Sequence, residues 1–135
     1  LWLLSTGTGV APFVAIVSDE SIMNKYERVF LVHGVRNWNE TQYLQHVLKL
    51  QPKLRVMASV TRDAGALIDV RIPDALESGL LEATAEAEIT PQASRVMLCG
   101  NPAMVKAVRA AMRARGIVSP RNGEPGQLLA ENFWL

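Results

Sequence analysis

Apolar residues come along this chain in short unbroken blocks separated by turn residues. The blocks are Leu1 to Leu4, Arg28 to Val35, Leu54 to Val60 and Arg95 to Cys99. Such blocks, without polar alternation, predict strands buried on both faces. Leu128 to Leu135 predicts a last, shorter strand. Between the blocks the period becomes helical. Val10 to Val17 and Ile22 to Tyr26 carry apolar residues on one face, and Asn37 to Glu40 reads as a turn and cap. Tyr43, Leu44, Val47, Leu48 and Leu50 fall at helical spacing before Pro52. Pro73 begins a short helix that ends at Gly79, and Leu80 to Ala87 adds another turn or two. The clearest helix is Ala103 to Arg115: Met104, Val105, Val108, Ala111 and Met112 share a face, and Gly116 supplies the C-cap. Pro120, Gly123, Pro125 and Gly126 mark Ile117 to Gln127 as loop.

Strands alternating with helices predict an α/β fold. The expected architecture is a doubly wound, Rossmann-like sheet of five parallel strands in the order 3-2-1-4-5, with helices on both faces. Ligands of such sheets bind beyond the carboxyl ends of the strands, where the strand order reverses. Those ends are Thr6-Gly7-Thr8-Gly9, His33-Gly34-Val35-Arg36, Thr61-Arg62-Asp63 and Cys99-Gly100-Asn101-Pro102. Glycines, hydroxyls, arginines and a thiol suit a dinucleotide cleft.

Composition narrows the picture. At 135 residues and 49% apolar content the chain reads as one domain, residues 1–135, able to bury a core. A net charge of +1 argues against nucleic acid or an anionic membrane surface as partner. No apolar run approaches transmembrane length, and no signal peptide is visible. The single cysteine, Cys99, excludes an internal disulfide framework and suits a reducing cytoplasm. His33 and His46 lie far apart and offer no metal-ligand spacing, so no metal is expected. The chain opens inside a strand without methionine, which points to an excised piece or the downstream domain of a longer protein.

The glycine turn at residues 6–9 leads from the first strand into a helix with Pro12 in its first turn. Thr6 and Thr8 hydroxyls, with backbone N–H groups at a helix start, form a plausible pyrophosphate site. Pro12 stands where a third glycine would complete the G-x-G-x-x-G fingerprint, and a tight turn without ligand is the structural alternative. After the second strand the position that reads an unphosphorylated ribose offers Arg36 and no carboxylate. Arg62 ends the third strand and Arg71 follows within a short loop. Two or three guanidinium forks near one cleft suit a phosphate monoester, which favours NADP over NAD. Asn101 can cap the helix that starts at Pro102. Cys99 is either a buried structural thiol or a wall against a nicotinamide ring. Phe133 and Trp134 put two aromatics at a terminus, where docking on a flat apolar group competes with edge-strand packing.

Together these pieces resemble the NADP-binding domain of bacterial-type ferredoxin–NADP reductases. The residues that carry the resemblance are Ser5 to Phe13, Val32 to Arg36, Val60 to Asp63, Arg71 to Pro73, Met97 to Pro102 and the tail at Phe133-Trp134. They run in the family's order along the whole chain. The chain departs from the pattern where Asp63 replaces a glutamate, where Asp69-Val70 precedes Arg71, and where Leu135 follows Trp134.

The resemblance implies the following roles. Thr6, Gly7, Thr8 and Gly9 bind the pyrophosphate, with Gly100 and Asn101 beside the cofactor. Arg62 and Arg71 clamp the 2′-phosphate, Thr61 assists, and Arg36 lies near the adenosine half. Cys99 lines the nicotinamide pocket, and Glu131 is a further site residue. Trp134, with Phe133, stacks on the flavin isoalloxazine until nicotinamide displaces it. The implied whole is a cytoplasmic oxidoreductase in which hydride passes between NADP(H) and FAD and single electrons pass to or from ferredoxin or flavodoxin. The FAD belongs mainly to an antiparallel barrel domain expected upstream, so residues 1–135 alone should be inactive. The rival readings are a reductase component of an oxygenase, another flavin-dependent NAD(P)H reductase, and a non-catalytic nucleotide-binding module.

Overall fold

The computed structural model describes residues 1–42, 44, 45, 49 and 51–132, with Asn132 described in its backbone only. Tyr43, His46, Val47, Leu48 and Leu50 of the expected middle helix lie outside the described residues, as do Phe133, Trp134 and Leu135.

The strands are β1 (Trp2–Thr6), β2 (Val29–Val35), β3 (Leu54–Val60), β4 (Val96–Gly100) and β5 (Leu128–Asn132). They form one sheet in the order β3-β2-β1-β4-β5, with every pairing parallel. The helices are α1 (Ala11–Val17), α2 (Glu20–Met23), α3 (Ile72–Glu77), α4 (Leu80–Ala85) and α5 (Pro102–Ala114). Two 3₁₀ turns, Gly7–Val10 and Trp38–Thr41, follow the carboxyl ends of β1 and β2.

The period of two along β1 divides the core. Leu1 and Leu3 pack with Val10, Phe13, Val17 and Met23 on one face. Trp2 and Leu4 pack on the other with Ile72, Leu76, Leu81, Val105, Val108 and Met112. Both faces of the central strand are therefore dry, which is why its sequence shows no polar alternation. α5 follows its cues closely. Asn101 accepts from the backbone N–H groups of Ala103 (2.8 Å) and Met104 (3.4 Å), and Pro102 occupies the first turn. At the far end Gly116 has φ of +82°, and Ile117 N–H donates to the Met112 carbonyl at 3.0 Å.

Two arginines at the opposite edge of the sheet from the strand carboxyl ends are structural. Arg28 donates to the carbonyls of Glu86 and Ala85, and Arg55 to those of Ala85 and Thr84. The two guanidinium groups satisfy the carboxyl end of α4, where a cation is favoured. Arg28 also lies 5.0 Å over the Phe30 ring, which stacks on Trp2.

Candidate functional site

The parallel register lines up the carboxyl ends of the strands. Ser5 of β1 stands beside His33 of β2 and Cys99 of β4, and Cys99 beside Glu131 of β5. One residue further on, Thr6 pairs with Gly34, and Gly100 with Asn132. The sequence-predicted residues of β1, β2, β4 and β5 thus sit in two adjacent rows at one edge of the sheet.

The turn after β1 is tighter than a simple strand-to-helix bend. Gly7 has φ of +52° and opens the 3₁₀ turn, while Gly7 and Thr8 are exposed. Neither the 3₁₀ turn nor the first turn of α1 carries an acidic residue. Gly9 is also required by the neighbouring strand. A Cβ there would stand 2.3 Å from the Cys99 carbonyl oxygen and 2.7 Å from the Gly100 nitrogen. Gly100, at φ of +141°, meets Thr6 in the same way, with 2.3 Å from a built Cβ to Thr6 Oγ1. The two glycines let the ends of β1 and β4 interlock backbone to backbone. The Thr6 hydroxyl accepts from the Asn101 backbone N–H at 2.8 Å, which leaves its own proton to donate to a ligand.

The arginines expected at a phosphate come from three neighbouring segments. The β2–β3 ladder continues past its last pair: Thr61 N–H donates to the Val35 carbonyl and Arg62 N–H to that of Arg36 at 2.8 Å. Arg36 and Arg62, both exposed, therefore stand on adjacent strand ends. The chain then returns along β3. Val60 N–H donates to the Ile68 carbonyl, and the buried Ser59 hydroxyl donates to that of Val70. Arg71 follows as the exposed residue before α3. The next side chain, Ile72, lies 3.4 Å from a Cβ built at Gly34 on the carboxyl end of β2.

Cys99 is 2% exposed and lies in the apolar cluster beneath the glycine turn. Burial, then the Glu131 carboxylate, push its thiol pKa upward. It is a protonated thiol at neutral pH, suited to lining a pocket and not to nucleophilic attack. Among the described residues no group of three or more His, Cys, Asp or Glu could hold a metal ion. No described helix is long and apolar enough to cross a membrane.

The sequence offers His33 no metal-ligand spacing and signals no other role for its ring. It is buried, and its Nδ1 lies 2.9 Å from Ser5 Oγ under the glycine turn. Burial lowers its pKa from 6.5 to about 4, against smaller raising contributions from a Ser5 backbone hydrogen bond and the Glu40 charge. The native state thus resists a proton that the unfolded chain accepts. The associated stability is complete above pH 6.5 and drains as pH falls from about 6.5 to about 4. The loss should total on the order of 3 kcal/mol. Urea midpoints measured across that range should fall steeply, and a His33→Gln variant should flatten the slope; an unchanged slope would remove His33 as the cause.

A family model described as the oxidoreductase NAD-binding domain matches residues 3–110. A ferredoxin–NADP reductase A of Sorangium cellulosum is 39% identical over 97% of this chain and 51% of its own length. A ferredoxin–NADP reductase of Pseudomonas aeruginosa is 38% identical over the whole chain and 57% of its own length. The crystal structure of a ferredoxin NADP⁺ reductase from Neisseria gonorrhoeae, with bound FAD and NADP, superposes with a TM-score of 0.91 at 32% identity. That match covers 98% of this chain and 55% of the other. The chain spans about half the length of the curated relatives it matches.

Proposed function

We propose that this chain, which belongs to the oxidoreductase NAD-binding domain family, is the NADP(H)-binding unit of a ferredoxin or flavodoxin–NADP reductase. In that enzyme hydride passes between NADP(H) and FAD, and electrons pass singly to or from ferredoxin or flavodoxin. The relatives that match nearly all of the chain bear that name, and the gonococcal neighbour holds FAD and NADP. The observation that carries the choice of NADP is the placement of Arg36, Arg62 and Arg71 around the carboxyl ends of β2 and β3.

The residues present fit the cofactor. Thr6 to Gly9 hold the pyrophosphate with backbone N–H groups and the free Thr6 proton, at a helix start without acidic residues. Gly100 and Asn101 form the opposite wall. Arg62 and Arg71 clamp the 2′-phosphate with Thr61 beside them, and Arg36 faces the adenosine half. The neutral Cys99 thiol and Glu131 border the nicotinamide pocket. Phe133 and Trp134 would supply the aromatic surface for the isoalloxazine, with Trp134 in the nicotinamide's place. The FAD is held mainly by a barrel domain preceding this one in the same polypeptide. When bound, nicotinamide and flavin supply the redox chemistry. This chain binds, orients and selects.

Isothermal calorimetry of the 135-residue chain tests the reading. It should bind 2′-phospho-AMP at least about tenfold more tightly than AMP, the value of one charge-assisted hydrogen bond. Equal affinities would sink the NADP assignment. The chain alone should show no diaphorase turnover with NADPH and added FAD, and turnover would contradict a separate flavin unit.

A further inference from the structure

A carboxylate sits among the strand-end arginines. Asp63 directly follows Arg62, and a negative charge beside a phosphate site opposes binding. Its oxygens are engaged elsewhere. Oδ1 accepts from Asn37 Nδ2 at 3.1 Å and Oδ2 from the Trp38 backbone N–H at 2.8 Å. The Trp38 indole Nε1–H donates to the Ala64 carbonyl at 2.9 Å, and Arg62 N–H to the Arg36 carbonyl at 2.8 Å. Four hydrogen bonds therefore tie residues 36–38 to residues 62–64. Glu40 closes the first of these turns: its Oε2 accepts the N–H groups of Arg36 (3.0 Å) and Asn37 (2.8 Å).

Resting on the NADP reading above, we propose that Asp63 is a positioning residue for cofactor selection. Its carboxylate latches the turn after β2 to the turn after β3 and so sets the spacing and aim of Arg36 and Arg62. An arginine carries a long flexible stem, so a phosphate clamp on loops is only as selective as its backbone anchors are rigid. The latch is not needed to pair the strands, because β2 and β3 are already in register from Val29↔Leu54 to Val35↔Val60. A carboxylate acceptor makes these bonds stronger than neutral ones would be. Its charge is directed into the latch and away from the ligand.

Asp63→Ala should weaken NADP⁺ and 2′-phospho-AMP binding to the full chain about tenfold. NAD⁺ and AMP binding should be unchanged, and the thermal midpoint should stay within about 5 °C of wild type. Asp63→Glu keeps a carboxylate and should recover part of the loss. Trp38→Phe keeps a ring and removes only the indole bond; it should give a smaller loss in the same direction, and it decides the matter if Asp63→Ala fails to fold. Parallel loss for phosphorylated and unphosphorylated ligands, or no loss in either variant, overturns the latch while leaving the NADP reading intact. A wild-type chain that does not distinguish NADP⁺ from NAD⁺ overturns that reading, and the latch falls with it.

Discussion

Gly9→Ala should cost about 3 kcal/mol of stability or more, a large fraction of the about 5–15 kcal/mol that holds an ordinary domain folded. The added Cβ would stand 2.3 Å from the Cys99 carbonyl oxygen, 2.5 Å from its carbon and 2.7 Å from the Gly100 nitrogen. All three are backbone atoms of a strand paired on both sides, to β1 and to β5. No flexible side chain can swing away, so relief requires breaking ladder bonds. Gly7→Ala is the control. Its φ of +52° strains an alanine, but the new Cβ would meet no heavy atom within 4 Å beyond its own stretch of chain. That strain is worth about 1–2 kcal/mol. Urea denaturation of the two variants separates close packing from backbone strain. Equal losses would mean that the β1 and β4 ends do not interlock as described. The consequence reaches the site, because the Gly9 contact fixes where the turn and its N–H groups point.

The strand order was legible because continuous apolar blocks alternating with helical spacing leave few topologies once crossovers are right-handed. The helix at Pro102–Ala114 was legible down to its caps, since Asn101, Pro102 and Gly116 act through bonds within a few residues. What escaped acts across long sequence separations. Gly9 and Cys99 meet only when β1 and β4 pair, so the packing that demands a glycine there leaves no mark in the local sequence. His33 reads as an isolated histidine until the β1–β2 register sets it beside Ser5. Asp63 looked like a one-methylene departure from a motif, and its bonds to Asn37 and Trp38 depend on how two loops fold toward each other. The arginines show the limit most clearly. Arg28 and Arg55 have the same chemistry as Arg62 and Arg71, yet the former pair cap α4 at the amino-terminal side of their strands. Only position along the strand separates these structural cations from the arginines proposed to meet a phosphate.

That distinction yields the second large effect. Arg62→Ala combined with Arg71→Ala should weaken NADPH binding by about two to four orders of magnitude, because each charge-assisted hydrogen bond to phosphate contributes about 1.5–3 kcal/mol. NADH has no 2′-phosphate to lose, so its affinity should change less than about threefold. The fold should tolerate the change, since both residues are exposed and follow or precede an element instead of lying within one. Arg28→Ala with Arg55→Ala supplies the opposite pattern. Four bonds to the Thr84, Ala85 and Glu86 carbonyls disappear, so the thermal midpoint should drop by several degrees while the NADPH-to-NADH ratio holds. Fluorescence or calorimetric titration of both double variants with both nucleotides gives the ratio directly. Equal loss of NADPH and NADH in the first variant refutes a 2′-phosphate role for Arg62 and Arg71. A changed ratio in the second would mean that the end of the strand on which an arginine sits does not determine what it binds.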